Sequence, residues 1–471
     1  MLNFIKFTFL LSLILAFNGC NFRPKMPEIT TSVEINSTLA DYDIKDAWWQ
    51  EFDNSELNGL IDSALKNNSD LLLAYNSLEQ ARVQLNLAKI DFTPNIGLQG
   101  DLTRTKTSSE LQNEAPSMKY NLASAALAAS WEIDLWGRIR NSLRAAQASF
   151  EASEYDLANA RLSIAASVAN TYFTLLSLYD QQDVLQQSLK SYEDTLEIRK
   201  AELESGYITE VVYYQAQSSV DSAKTQLAVL NDSLISTRTA LAILTGKNAE
   251  FIAQGEMKIT NPNFKIPEVP SAISADILER RADIAAALKR FKAANAAIGV
   301  ARANYFPRLD LTGLLGFTST DLSNLINTNA HTWQVGGSLV MPLLDFGRTA
   351  NNEKLAWLDQ NASMLVYDKT LKTALGEVKD ALDLRQNATI KLQSTQNLVA
   401  SNERVFELSK LRYDNGYSSH LEFLDAQRML LSAQLELAKI KGQVVNSVVE
   451  VYKALGGGFV AAPFKEELDN K

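Results

Sequence analysis

Cysteine occurs once in the 471 residues and histidine twice, as His331 and His420. A disulfide within the chain is therefore excluded, and so is a zinc site of the finger or three-histidine kind, so no metal or other cofactor is expected. Glycine, at 20 residues, and proline, at 10, are also scarce. A chain so poor in helix breakers and rich in Ala, Leu, Gln, Asn and Ser should be mostly long helix with few tight turns. Basic clusters are missing too. With 45 basic against 55 acidic residues and a net charge of -10, nucleic acid is not an expected partner. Beyond the N-terminus no stretch reads as apolar enough for a membrane helix. Carboxylates are plentiful, and Glu132 with Asp134, or Glu422 with Asp425, could be paired for acid-base chemistry, but neither pair comes with a pocket-forming fold.

What is present begins with a secretory signal. Lys6 precedes the apolar run 9–17, which is too short for a permanent membrane helix. The run ends at Asn18-Gly19-Cys20, similar to a lipoprotein processing site, where the thiol of Cys20 is acylated and becomes the first residue of the mature chain. Asn21, where aspartate would retain a lipoprotein in the inner membrane, points to the outer membrane. Acyl chains contribute roughly 0.8 kcal/mol per buried methylene, so a multiply acylated terminus is a firm anchor in outer-membrane lipid.

The body is a duplication. Residues 138–205 contain neither glycine nor proline, enough for a helix of about 100 Å, and no compact domain houses such a rod. Leu143, Phe150, Leu157, Ile164, Leu178, Leu185 and Tyr192 recur at heptad spacing, which predicts lengthwise coiled-coil packing. The chain should turn at Ser205-Gly206-Tyr207 and run back as a second helix. At an offset of 210, Trp136-Gly137-Arg138 matches Phe346-Gly347-Arg348 and Gly206-Tyr207 matches Gly416-Tyr417. Upstream the offset is 213, pairing Asp70 with Asp283 and Pro94 with Pro307, so three residues are missing from the second copy between Pro307 and Gly347.

In that interval the period changes to two. Leu309, Leu311, Gly313, Leu315 and Phe317 alternate with polar neighbours, as do Trp333, Val335, Leu339 and Met341. In the first copy Ile96, Leu98 and Leu102, then Leu127, Ala129, Trp131, Ile133 and Leu135, do the same. Four strands of about ten residues follow, the length a tilted transmembrane strand needs, although a soluble hairpin with one wet face alternates too. Four strands cannot close a barrel. Two chains would supply eight and three would supply twelve, and the small, charged inward set suits the wider lumen of a trimer.

These features together resemble the TolC-type outer-membrane efflux channels. Glu132-Ile133-Asp134-Leu135-Trp136-Gly137-Arg138, Leu278-Glu279-Arg280-Arg281-Ala282-Asp283-Ile284 and Leu424-Asp425-Ala426-Gln427 carry the likeness, more narrowly to the lipoprotein, NodT-like branch, with Ala282 in place of that branch's usual proline. The resemblance implies a mainly α fold with a membrane β-barrel portion. A homotrimer would share a twelve-stranded barrel continued by a twelve-helix tunnel, with a belt formed by residues 247–274 and the C-terminal tail. A periplasmic adaptor and an inner-membrane transporter would be its partners, and the duct would be no enzyme. The parts are then a signal peptide at 1–19, a lipid anchor and extended segment at 20–52, repeats at 53–246 and 275–457 separated by the 247–274 linker, and a tail at 458–471.

The resemblance also implies where the duct is gated. Gly206, Tyr207, Gly416 and Tyr417 would mark the helix-tip turns and the adaptor contact, Leu421 an apolar constriction, and Asp425 with Glu422 acidic rings favouring cations. Leu421, Glu422 and Asp425 fall on one helical face by their spacing, which ordinary hairpin packing or helix-dipole pairing would also produce. Tyr413 falls where the family places a tyrosine tying neighbouring tips together, while Ser418 replaces a basic residue of some members. His420 is expected to be a solvated tip residue and His331 to lie in an outer loop. Asp101, Glu132, Asp134, Arg308 and Asp310 are read as wet barrel lining. The expected function is a passive exit duct for drugs and other toxic small molecules. A lipid-anchored coiled-coil envelope spacer would leave the strands unexplained, and a duct for protein secretion differs only in cargo. Few methionines and no histidine cluster give a copper or silver relay no support.

Overall fold

The computed structural model describes residues 22–27, 45–108, 118–269 and 281–458. The signal peptide, Cys20 and all of the C-terminal tail but Gly458 lie outside the described residues. Among the described residues the order is a short 3-10 turn at Trp48–Phe52, α1 (Ser55–Asn67), α2 (Ser69–Ile90), β1 (Asn95–Lys106), β2 (Lys119–Ile133), α3 (Arg138–Glu204), α4 (Glu210–Leu244) and α5 (Ala249–Gln254). It continues with α6 (Ala282–Ala303), β3 (Arg308–Ser319), β4 (His331–Val340), α7 (Arg348–Asp414) and α8 (His420–Ala454).

The duplication is kept to the residue. α2 and α6 both have 22 residues, α3 and α7 both 67, and α4 and α8 both 35. β1 pairs β2 with Asn95 opposite Ser130, and β3 pairs β4 with Arg308 opposite Val340. These pairs keep the offsets of 213 and 210, so the three missing residues are removed from the turn between the strands and the register is untouched. Losing them in a ladder would instead have moved side chains to the opposite face.

Both hairpin tips are Schellman turns built alike. Gly206 and Gly416 each adopt φ 76, and the N–H groups of Tyr207 and Tyr417 donate to the carbonyls of Glu202 and Arg412, both at 2.8 Å. A side chain at either glycine would meet nothing within 4 Å, so backbone conformation alone requires glycine there.

The residues divide into two compact units that cut across the repeats. One holds residues 77–154 and 286–368 with the segment before residue 31, and is built on the sheet, in strand order β1-β2-β3-β4. The other holds, among the described residues, 45–76, 155–269, 281–285 and 369–458. Its core gathers Trp48, Phe52, Leu57, Ile61, Tyr172, Phe173, Val448 and Tyr452, with Trp48 stacked on Tyr452 at 5.2 Å. Farther along, Leu185 and Tyr192 of the heptad set pack with Val220, Ala223 and Leu230 of α4 and Leu431 of α8. Gly442 of α8 leaves room for Ser177, whose hydroxyl donates to the Ala438 carbonyl at 3.1 Å.

The expectation that no interior stretch is apolar enough to cross a membrane as a helix is corrected. α3 and α4 each contain a window that passes by length and composition. In α3 much of that apolarity serves packing, since Ala165, Ala166, Val168, Ala169 and Leu175 belong to the core. A membrane role for the strands therefore has to rest on the sheet itself.

The belt expected at 247–274 is described as far as residue 269, and one buried asparagine holds it. Asn54 caps α1 by accepting from the Leu57 N–H at 2.8 Å, and its amide donates to the Tyr172 hydroxyl at 2.9 Å and to the carbonyls of Asn261 and Asn263 at 3.1 and 2.8 Å. Burial pushes the Tyr172 phenol up to about 12, so it stays a donor, to the Asn261 carbonyl at 2.8 Å. Asn54→Ala should cost about 2–3 kcal/mol, the sum of a lost cap and of the bonds to the Tyr172 hydroxyl and two part-buried carbonyls, read as a lower denaturation midpoint of the purified protein. An unchanged midpoint would show that water replaces the amide.

Candidate functional site

The ladders sort the sheet into two chemically distinct faces. Residues directly opposite in register share a face. One face carries the rows Ile133–Leu309–Leu339, Trp131–Leu311–Gly337, Ala129–Gly313–Val335 with Ile96, Leu127–Leu315–Trp333 with Leu98, Ala125–Phe317–His331 with Gly100, and Leu102–Ala123–Ser319. Most of its large side chains are exposed, with Leu98 at 80%, Val335 at 79% and Trp333 at 70%, an arrangement that water would oppose and lipid favours. From the first of these rows to the last the chain advances ten residues, roughly 33 Å along a strand, or about 25 Å once tilted, the height of an outer-membrane apolar band.

The opposite face carries Asn95, Gln99, Ser124, Ser130, Thr312, Gln334 and Ser338 together with Asp101, Glu132, Arg308 and Asp310. Glu132 stands opposite Asp310, a like-charge pair that would be unfavourable alone. Arg138 relieves it with two bonds to Glu132 at 2.7 and 2.8 Å, and Arg308 does so on Asp310 at 2.9 Å. Asp134 corrects the lining expectation. It lies beyond the end of β2, where its carboxylate accepts from the N–H groups of Ile139 and Arg140 and pairs with the Arg140 side chain at 2.9 Å, so it holds the start of α3. His331 is likewise no loop residue; it opens β4, edge-on to Phe317 at 6.1 Å.

At the tips, Leu421, Glu422 and Asp425 lie together on the exposed side of α8, while Phe423, Leu424, Ala426 and Gln427 are buried. Ser419 caps this helix by accepting from the Glu422 N–H, and Arg412 approaches Glu422 at 3.7 Å. Tyr207 and Tyr417, at 86% and 79% exposure, project from the turns. Tyr413 ties the two hairpins of one chain: its hydroxyl accepts a hydrogen bond from Arg199 of α3, whose guanidinium lies 5.0 Å from the Tyr413 ring centre and also pairs with Glu202. Sequence reasoning missed Arg199, whose spacing to Glu202 reads as an ordinary exposed helix pair.

His420 overturns the expectation of a solvated tip. It is 6% exposed, 5.5 Å from Tyr413 and 6.1 Å from Phe423 ring to ring, with no hydrogen-bond partner on either nitrogen. Burial, and then the charge of Arg199, push its pKa down to about 4.

Among the described residues no cluster of His, Cys, Asp and Glu could hold a metal ion. The model of the outer membrane efflux protein family matches residues 60–247 and 273–457, one match to each repeat. The solved structure of the Campylobacter jejuni CmeC outer membrane channel is similar, with a TM-score of 0.88 and 33% identity over 94% of this chain and 96% of that one. The probable efflux pump outer membrane protein TtgC of Pseudomonas putida is 31% identical over 415 residues, 88% of this chain and 85% of that protein. The cation efflux system protein CusC of Escherichia coli is 28% identical over 452 residues, 94% of this chain and 97% of that protein. This chain belongs to the outer membrane efflux protein family, and its two-faced sheet and paired helical hairpins are one protomer's share of such a channel.

Proposed function

We propose that three copies of this chain form the outer-membrane exit duct of a tripartite efflux pump. The duct passively conducts drugs and other toxic small molecules delivered by an inner-membrane transporter through a periplasmic adaptor. The observation that carries this reading is the single exposed apolar face running across all four strands, which an envelope spacer would not need. Twelve such strands close a barrel with the polar face inward.

Anchoring through a lipidated Cys20 is supported by the segment that follows it. Phe22 stacks on Phe306 at 4.4 Å, and Phe306 stacks on Trp136 at 4.9 Å. The Phe22 and Pro24 carbonyls accept from Arg302 and Asn295. Phe22, two residues on from Cys20 in the sequence, thus packs beside the helix-proximal ends of the strands, the side from which acyl chains would enter the inner leaflet.

The test is drug, bile-salt and metal-ion susceptibility with dye accumulation in a strain lacking the gene and in the same strain complemented. Hypersensitivity with raised accumulation, restored by the intact gene, is the expected result; sensitivity to metal ions alone would move the cargo to cations. If Asp425 rings the aperture, Asp425→Ala should lower cation selectivity and weaken block by multivalent cations in planar bilayers, because threefold repetition of one carboxylate concentrates negative potential. Unchanged selectivity would remove Asp425 from the gate.

A further inference from the structure

The lipid-facing side of the sheet carries no acidic residue on any of its four strands, since Asp101, Glu132 and Asp310 all occupy the other face. Its charge is confined to one place. Above the last apolar row, Leu102–Ala123, the β1-β2 hairpin continues on the same face with Arg104 opposite Asn121 and then Lys106 opposite Lys119. The β3-β4 ladder has already ended, so these two rows stand above the rest of the sheet at the end remote from the helices.

Arg104, Lys106 and Lys119 are exposed and make no ion pair among the described residues. Opposed lysines on a ladder have Cβ atoms about 5 Å apart and repel each other unless an anion bridges them. A lumen-facing position would have given these cations the acids of the polar face as partners. Facing outward, and displaced one row at a time from a band already as tall as the hydrocarbon layer, they sit at headgroup depth.

We infer that Arg104, Lys106 and Lys119 form a binding site for the phosphate-bearing headgroup of a lipid in the outer leaflet. The band below them, Leu98, Leu102 and Leu127, lies against that lipid's acyl chains, and the Arg104 fork and the two ammonium groups meet its phosphates. The inference rests on the barrel reading above, which puts the hairpin end outside the cell.

The full-length lipidated trimer is incubated with phosphatidylethanolamine vesicles containing equal amounts of diphosphorylated and dephosphorylated lipid A, then recaptured in mild detergent, and the retained lipids are quantified. The wild-type protein should retain the phosphorylated form in at least roughly tenfold excess, well within what three basic residues supply at a charged surface. Arg104→Gln with Lys106→Gln and Lys119→Gln should bring the ratio close to one while the trimer stays intact. Equal retention by the wild type, or an undiminished preference in an intact triple variant, overturns the inference. Ser108→Cys, labelled on intact cells with an impermeant maleimide, separates the two levels: no labelling sinks the barrel orientation, whereas labelling without a lipid preference sinks only the headgroup site.

Discussion

Arg199→Ala should leave the channel open at its helix tips, raising single-channel conductance several-fold in a planar bilayer. Arg199 is 8% exposed and joins α3, one turn before its end, to the last turn of α7 by its bond to the Tyr413 hydroxyl and its position over the Tyr413 ring. Truncation removes a charged donor from a half-buried hydroxyl and withdraws the partner of Glu202, whose side chain is 34% exposed and can rehydrate. The cost to the packed tip is about 1–3 kcal/mol, below that of a fully buried ion pair because of this rehydration. Tyr413→Phe keeps the ring contact and loses only the hydrogen bond, so its effect should be smaller. Arg404→Ala is the control, because Arg404 and Glu407 are 68% and 63% exposed and such pairs contribute little. Wild-type conductance in an intact Arg199→Ala trimer, or an equal rise in the Arg404 variant, would show that this contact does not hold the tip.

Which parts of this arrangement the sequence could disclose follows from the range of the forces involved. Helix lengths and the duplication were legible because glycine and proline act on their own backbone, and the offsets of 210 and 213 recur in every paired element. Period two revealed the strands for the same reason, but not where they stop. Alternation continues to Leu135, whereas β2 ends at Ile133 because the carboxylate of Asp134 is bound to the first N–H groups of α3. Long-range partners left no local mark. Asn54 reads as a cap before Ser55-Glu56, but its bonds to Tyr172 and Asn263 depend on how α3 and the belt segment come together. His420 fell next to an exposed stripe in helical phase, and only the approach of α3 and α7 buries it.

That burial gives the tips a pH response whose sign can be worked out. His420 has an ordinary value of 6.5 and is pushed down to about 4 in the packed tip, first by burial and then by Arg199. Between those values a solvated, opened tip holds a proton that the packed tip rejects. The packed tip therefore has its full stability above about pH 6.5, loses it as pH falls toward 4, and loses no more below that. The whole span amounts to roughly 3 kcal/mol. From α3, Arg199 opposes the imidazolium, and Glu202 is paired with that guanidinium. From α7, Tyr413 presents a neutral ring whose hydroxyl burial holds above its usual range, with Asp414 next in the chain; on α8, Phe423 adds only apolar surface. No carboxylate bonds to either ring nitrogen to rescue the charge. Conductance should accordingly rise between pH 7 and 5, and His420→Phe, which fits the aromatic cluster and cannot titrate, should remain closed across that range. Glu422 and Asp425 are common to both proteins, so the difference between the two profiles belongs to His420. Identical profiles would mean that the tip stays shut with the imidazole charged, and would place the acid response on the carboxylates of the aperture.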